Sequence, residues 1–343
     1  MLPVEQLPVG IIGASGYVGA ELMRLLGQHP GFDVRFVTGD TQAGQPVVGL
    51  YPHLAAIGAD QEFVKYDPRL LDEAALAFLA LPHGQSMALA GGIIEQGKAA
   101  VDLAADFRLK DAGQYQQWYG APHLAPEMLG RFAYGLPELF RDELVGARAV
   151  AVPGCYPTAA VLAIAPLVRM GLIWPDGVIV DAASGVSGAG RPPKAHTAFC
   201  AVDEDFTAYG LLDHRHTPEI EQAAGASVLF TPHLAPMNRG ILATCYAKPA
   251  TGTSTDALLG ALADAYADEP FVVVSERSPS TKATLGSNAA HLTVRHDART
   301  NTVVALCAID NLVKGAAGQA VQCANLICGL EETAGLTATG VYP

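Results

Sequence analysis

A short apolar strand that runs into a glycine-rich turn and then a helix constrains this chain more than any other feature. Val9-Gly10-Ile11-Ile12 leads into Gly13-Ala14-Ser15-Gly16-Tyr17-Val18-Gly19, and Ala20 to Leu26 continues with apolar residues at helical spacing. His29-Pro30-Gly31 is a helix stop, and Asp33 to Val37 then alternates like a second strand. The three parts form a β–α–β unit of the ~30 residues that such a unit needs. Its glycines let the backbone approach a pyrophosphate, and the helix N-terminus adds N–H groups and a partial positive charge. The pattern Gly13-x-x-Gly16-x-x-Gly19 alone also suits any turn that requires glycine. The flanking strand, helix and second strand turn it into a dinucleotide site.

The same alternation continues. Leu76 to Leu81 and Ala99 to Leu103 read as buried strands, with a helix over Gln85 to Gln96 between them. Strand, helix, strand, helix implies a parallel, doubly wound α/β sheet. The pattern changes after Val152. A helix opens at Pro153-Gly154-Cys155-Tyr156-Pro157-Thr158 and runs to about Met170, and strands follow at 178–182, 227–230, 241–247, 271–274, 291–295 and 303–309. A helix lies over Thr255 to Ala267, and Lys314 to Leu330 forms a last, apolar helix. This second part is α+β with a mostly antiparallel or mixed sheet. A chain of 343 residues has the length of two domains. The change of pattern sets the first at residues 1–152.

Charge and cysteine usage exclude whole classes of function. The net charge is −13 and there is no basic run, so the chain lacks the electrostatic footprint of a nucleic-acid or anionic-membrane binder. No apolar run reaches the ~20 residues that span a bilayer, and the N-terminus has no signal-peptide pattern. The six cysteines show neither a Cys-x-x-Cys pair nor a disulfide framework, which predicts a reduced, cytoplasmic protein. An anionic substrate must therefore be held by local Arg, Lys or backbone N–H groups.

Several residues carry chemistry. Asp40 lies about 20 positions past Gly19, where an acidic residue binds the ribose hydroxyl of NAD. It falls beyond the end of the second strand, however, and Thr38 with the backbone of Gly39 is an alternative acceptor for a 2′-phosphate. Pattern alone leaves NAD and NADP open. Cys155 follows Gly154 at a helix start, and a helix N-terminus favours the nucleophilic thiolate. A lone cysteine is ordinarily a small core residue, and the other five are read that way. His214-Arg215-His216-Thr217-Pro218-Glu219 offers two imidazoles as acid–base groups. If the segment is extended, positions i and i+2 face the same way, so spacing does not choose between them. A metal pair lacks a third local ligand. Arg108, Arg191 and Arg239 sit in strand-end loops suited to carboxylate or phosphate, although each alone reads more readily as a surface ion pair.

A nicotinamide site, a thiolate and a histidine point to one chemistry. The thiolate attacks an activated acyl carbon, and hydride reduces the resulting thioester to an aldehyde. An acyl phosphate suits this scheme because phosphate leaves readily.

At this point the chain resembles a known family, the N-acetyl-gamma-glutamyl-phosphate reductases, arginine-pathway relatives of aspartate-semialdehyde dehydrogenase. The resemblance rests on residues 13–19, Leu81-Pro82-His83-Gly84, Ala105-Asp106-Phe107-Arg108, 153–158, the loop 184–191, 214–219, 232–240 and 310–320, which span nearly the whole chain. It implies NADPH-dependent reduction of N-acetyl-L-glutamyl 5-phosphate to the semialdehyde and phosphate. It implies Cys155 as nucleophile and His214, with His216 second, as acid–base. Gly13, Ser15, Gly16, Tyr17, Val18, Gly19, Thr38, Gly39, Pro82, Ser184, Gly185 and Asn311 would hold NADP. Arg108, Ser187, Arg191 and Arg239 would hold the substrate. The implied architecture is a Rossmann-type domain, a catalytic and oligomerisation domain over 153–313, and a tail over 314–343 that returns to the nucleotide domain. A homodimer or homotetramer built through the second sheet is expected. The departure is Asp40, a carboxylate near the expected 2′-phosphate. The rival readings are the same reaction on an aminoadipyl phosphate, possibly carrier-linked, in lysine synthesis, and a nucleotide-sensing binding protein without catalysis.

Overall fold

The computed structural model describes residues 6–57 and 61–342. They cluster into two compact units. One takes the described residues through Pro153 together with Ala316–Leu336, and the other takes Gly154–Gly315 together with the described residues from Thr337 on.

The first unit contains β1 (Leu7–Ile12), α1 (Tyr17–Leu26), β2 (Phe32–Val37), the single turn α2 (Val47–Leu50), β3 (Leu76–Leu79), α3 (Met87–Glu95), β4 (Ala99–Asp102), α4 (Ala112–Tyr119), β5 (Ala133–Tyr134), α5 (Pro137–Leu144) and β6 (Ala149–Ala151). Its six strands lie in the order β2-β1-β3-β4-β6-β5, every pair parallel. The parallel, doubly wound sheet is thus as expected. Parallel strands are covered on both faces, and β3 is accordingly buried along its length. A further helix, Gly318–Ile327, packs on α1, β4 and α5, and its Cys323 thiol donates to the Gly135 carbonyl at 3.3 Å. The last helix is shorter than the sequence suggests. Residues Val313–Ala317 form a π turn instead, and the chain crosses from one unit to the other inside it.

The second unit contains α6 (Cys155–Arg169), β7 (Val178–Gly185), the short α7 (Phe199–Val202), β8 (Thr207–Ala208), α8 (Thr217–Ala224), β9 (Val228–Ala235), β10 (Ile241–Ala247), α9 (Thr255–Ala265), β11 (Val272–Val274), β12 (Ala290–Asp297) and β13 (Thr302–Ile309). With these counted, the Gly318–Ile327 helix is α10. The seven strands run β11-β12-β13-β10-β7-β9-β8 and are mixed, because β11–β12 and β7–β9 are parallel and the rest antiparallel. Helices α6, α8 and α9 pack on this sheet. The end of the chain belongs here rather than to the returning tail: the Asn288 N–H donates to the Thr337 carbonyl and the Val341 N–H to the Leu285 carbonyl.

Helix α6 carries Cys155 at its first position, so what fixes α6 fixes the thiol. It is apolar around nearly its whole circumference and correspondingly buried, Tyr156 to Leu167 without a break. Leu162, Ile164 and Leu167 are each no more than 1 % exposed, and burial of such side chains contributes about 2 kcal/mol apiece. Pro166 lies inside the helix and has no N–H to give the Leu162 carbonyl. The Tyr266 hydroxyl supplies that bond at 2.7 Å from the end of α9, which offsets the cost of the proline.

Candidate active site

The nucleotide turn lies in the first unit. Its three glycines do three different things. Gly13 has φ +86°, and a Cβ there would meet the Ala80 carbonyl oxygen at 2.6 Å and the Leu81 side chain at 2.9 Å. Gly19 lets α1 close on the strand end, since a Cβ would stand 2.3 Å from the Ala14 carbonyl oxygen. Gly16 faces open space and caps α1 without any side-chain hydrogen bond. An open backbone at the N-terminus of a ten-residue helix suits a pyrophosphate. Thr38 braces the turn: its Oγ1 accepts from the Gly13 N–H at 3.0 Å, and the Ala14 N–H donates to its carbonyl. Gly39 packs against Ser15 and Phe63, and the Tyr51 hydroxyl donates to the Ser15 carbonyl. Tyr17 is exposed, Val18 half-buried and Pro82 exposed. Asp40 is exposed beyond the buried Gly39. Arg108 is buried, with Nε donating to the Val152 carbonyl at 2.8 Å and Nη2 to the Leu103 carbonyl at 2.9 Å.

The thiol lies in the second unit. Gly154 is extended (φ −65°, ψ 156°) and caps α6, so Cys155 begins the helix at half-buried depth. The Gly154 N–H donates to Glu219 Oε1 at 2.8 Å, and its carbonyl accepts from the Thr158 hydroxyl at 3.0 Å. The edge of the His216 ring lies against the Gly154 Cα: a Cβ there would stand 2.5 Å from Nε2 and 2.7 Å from Cε1. On the other flank, a Cβ on Gly315 would stand 2.8 Å from Cys155 Cβ, so the turn after Asp310 packs directly on the nucleophile candidate.

The two histidines are not equivalent. The segment is a turn, with His216 in the helical region (φ −80°, ψ −12°) at the cap of α8, and the extended-chain premise does not apply. His216 is the ring beside Gly154. His214 instead packs edge-on against Tyr156, Tyr209 and Phe230, and its Nδ1 accepts from the His216 N–H at 3.1 Å. Burial, and then the neighbouring Arg215 charge, lowers His214 to about 4 against an opposing Asp213. It is therefore neutral near pH 7. The Tyr209 hydroxyl donates to the Tyr156 hydroxyl at 3.1 Å, which donates to the His233 carbonyl at 3.0 Å. Burial pushes Tyr209 up to about 12 and raises Tyr156 further.

A second cluster adjoins the first through Gly315, whose N–H donates to the Asp310 carbonyl. Asn311 ties two loops together: its Oδ1 accepts from the Gly240 N–H at 2.7 Å and its Nδ2 donates to Ser187 Oγ at 2.9 Å. The backbones of 185–187 and 237–240 bond along one another, and Gly185 is pressed so closely that a Cβ would meet the Arg239 nitrogen at 2.7 Å. Arg239 reaches Asp310 Oδ2 at 3.5 Å, and the same oxygen accepts from the Gly286 N–H. Ser184 is buried and its hydroxyl donates to the Gly185 carbonyl. Arg191 is half-buried in the loop after the 186–189 turn. Glu219, Gly315 and Asp310 lie inside the segments 214–219 and 310–320. Spacing gives no sign of their roles, because Glu219 holds Gly154, Asp310 Oδ2 holds Gly286 and Gly315 meets Cys155, all distant in sequence.

Two family models match the chain: the semialdehyde dehydrogenase NAD binding domain over residues 8–147 and the semialdehyde dehydrogenase dimerisation domain over 155–311. Among curated relatives, N-acetyl-gamma-glutamyl-phosphate reductase of Desulforudis audaxviator is 50% identical over 98% of this chain and 100% of its own length. The reductase of the same name from Acidothermus cellulolyticus is 49% identical over 98% and 99%. Among solved structures, aspartate semialdehyde dehydrogenase II of Vibrio cholerae, complexed with ASA, superposes with a TM-score of 0.70 at 16% identity, covering 95% of this chain and 99% of that one. Aspartate semialdehyde dehydrogenase of Candida albicans, solved with NADP, gives 0.69 at 14% identity over 94% and 99%. The structural likeness speaks for the fold, and the near-full-length sequence identity decides the rest: the chain belongs to the N-acetyl-gamma-glutamyl-phosphate reductase family of the semialdehyde dehydrogenases.

Proposed function

We infer that this protein reduces N-acetyl-L-glutamyl 5-phosphate to N-acetyl-L-glutamate 5-semialdehyde and phosphate with NADPH, as a step of arginine biosynthesis. The observation that carries the reading is Cys155 at the first turn of α6 with the His216 ring and the Glu219 carboxylate on the adjoining Gly154. The helix N-terminus favours the thiolate, which attacks the acyl carbon. The carbon–oxygen bond to phosphate breaks, phosphate leaves with its electron pair, and a thioester on Cys155 remains. NADPH, when bound, would supply the hydride to the thioester carbon; the carbon–sulfur bond then breaks, which releases the aldehyde and returns the Cys155 thiolate. His216 manages the proton at the sulfur, and the neutral His214 supports it by accepting the His216 N–H. Glu219 holds the Gly154 backbone, and so the thiol, at a fixed place relative to the imidazole. Arg239, aimed by Asp310, and Ser187, aimed by Asn311, receive the substrate, with Arg191 as a further cation. Arg108 acts by shaping the strand-end backbone around Val152.

The open turn 13–19 would hold the NADP pyrophosphate, and Thr38 with the Gly39 backbone would hold its 2′-phosphate. The exposed carboxylate of Asp40 turns to solvent, which reconciles it with NADP. The six cysteines are free thiols, and a reducing cytoplasm would keep the Cys155 nucleophile in that state. Among the described residues no helix is long and apolar enough to cross a membrane. The unit works as a homodimer or homotetramer. Ile179 pairs in register with both Leu229 and Tyr246, which lays an apolar row across three strands, and these side chains are 39%, 48% and 36% exposed in the single chain. A second copy of that face covers it.

The reverse assay tests the reading. Semialdehyde, phosphate and NADP are supplied, and the absorbance of the reduced cofactor is followed. Turnover is expected from the native chain, and none from Cys155→Ser, which still binds NADP. Turnover by Cys155→Ser excludes the covalent route, and preference for the aminoadipate semialdehyde moves the substrate to the lysine-pathway analogue.

A further inference from the structure

Ser86, Asp102 and Asp106 of the first unit are wholly enclosed and have no part in the chemistry above. Asp106 is saturated with donors. Its Oδ1 accepts from the Gly84 N–H at 2.6 Å and the Tyr115 hydroxyl at 3.2 Å, and its Oδ2 from the Ser86 N–H at 3.1 Å, the Ser86 hydroxyl at 2.8 Å and the Met87 N–H at 3.3 Å. Two of these N–H groups open α3, so Asp106 also sits at a helix N-terminus. This is the environment of a carboxylate. Asp102 is different. Its Oδ1 accepts from the Ala104 N–H at 3.0 Å, while among the described residues its Oδ2 has only Ser86 Oγ, at 3.2 Å. A hydroxyl has one hydrogen and two acceptor lone pairs. Ser86 spends that hydrogen on the nearer Asp106. The remaining contact to Asp102 is a hydrogen bond only when Asp102 is the donor.

We propose that Asp102 is held as a neutral carboxylic acid that donates to Ser86 Oγ, and that the chain Asp102–Ser86–Asp106 makes Asp102 a positioning residue for the 81–87 turn beside the nucleotide site. The turn adjoins that site directly, because the Ala80 carbonyl and the Leu81 side chain are what stand against Gly13. Burial, and then the Asp106 charge, raises Asp102 to about 7, with the Ala104 N–H, Arg108 and Ser86 opposing. The Arg108 guanidinium meanwhile donates to the Val152 and Leu103 carbonyls, and the His123 ring meets the Asp106 carbonyl at 2.7 Å. Of the elements packed on β4, β3 and β6 bring no titratable side chain. Helix α10 brings only Cys323, and α3 only Glu95 at the end remote from Ser86. Loss of the Asp102 proton leaves two negative charges around one hydroxyl and releases the turn.

The assignment of the turn to nucleotide binding rests on the function inferred above, so two readouts are used on the full chain. Infrared difference spectra of protein labelled with carbon-13 at the aspartate carboxyl, wild type minus Asp102→Asn at pH 6, are expected to show the carbonyl stretch of a protonated carboxyl. Ser86→Ala is expected to shift that band. A wild type without the band overturns the assignment of the proton, whatever the turn binds. NADP titrations give the second readout. Asp102→Asn, which keeps a donor toward Ser86, is expected to match the wild type at pH 6 within about twofold and to stay constant to pH 9. The wild type is expected to weaken several-fold over the same range. Equal pH profiles overturn the positioning role. A wild type that binds neither NADP nor NAD at any pH removes the nucleotide reading and the positioning role with it, while the infrared band still decides the proton.

Discussion

Gly154→Ala isolates the contact on which the proposed chemistry depends. Alanine is compatible with the Gly154 backbone, since φ −65° and ψ 156° lie in the extended region open to every residue. The nearest obstacle is the His216 ring, 2.5 Å from the new Cβ where ordinary contacts begin at 3.4 Å. The ring must therefore retreat by about 1 Å. It is not free to do so without consequence, because it packs edge-on to Tyr156 and His214. A displacement of ~1 Å in a reacting group costs on the order of 10²-fold in rate, or about 2.7 kcal/mol of transition-state stabilisation. Stability moves much less. Replacing glycine by alanine contributes ~0.4–1 kcal/mol through the unfolded chain, which partly offsets the local crowding. The assay is kcat/KM for semialdehyde oxidation with phosphate and NADP, beside a thermal melt and an NADP titration. A loss near 10²-fold, with nucleotide affinity kept and Tm within about 4 °C, is expected. Turnover within threefold of the wild type would show that the His216 ring at this position does not serve the thiol.

Two further perturbations test the surroundings of the site. His214 has a folded-state value of about 4 against 6.5 unfolded, so stability present above pH 6.5 is lost as the pH falls toward 4, by at most ~3 kcal/mol and less for the ring's partial exposure. His214→Gln should flatten the pH dependence of the urea midpoint between pH 7.5 and 4.5, and an unchanged slope contradicts the buried, neutral ring. Tyr266→Phe strips the Leu162 carbonyl of the donor that replaces the missing Pro166 N–H, and should cost about 1–3 kcal/mol in denaturant unfolding with NADP affinity unchanged; a cost near zero means that the carbonyl has found water.

The sequence by itself determined what depends on neighbours along the chain. The turn at residues 13–19 needs glycine for reasons local to it: a positive φ at Gly13, an open approach at Gly16 and a close helix contact at Gly19. Apolar runs such as 76–79 and the change of pattern near residue 152 follow from burial periodicity, which is also local. Cys155 at a helix start was legible for the same reason. Strand β9 runs past Phe230 to Ala235, farther than its apolar run suggests, because β7 pairs with it in register through Ala235 and β8 joins it at His233 and Leu234. The tertiary structure decided what depends on backbone conformation in a turn and on partners distant in sequence. That His216 and not His214 lies against Gly154 depends on the turn placing His216 in the helical region, which alternation cannot reveal. Glu219 acts on Gly154, 65 residues away, and Asp106 on Gly84, 22 away. Gly315 matters because it lets a later turn close on Cys155. A carboxylate or a glycine carries no mark of the backbone it will meet, so such roles exist only once the chain has folded.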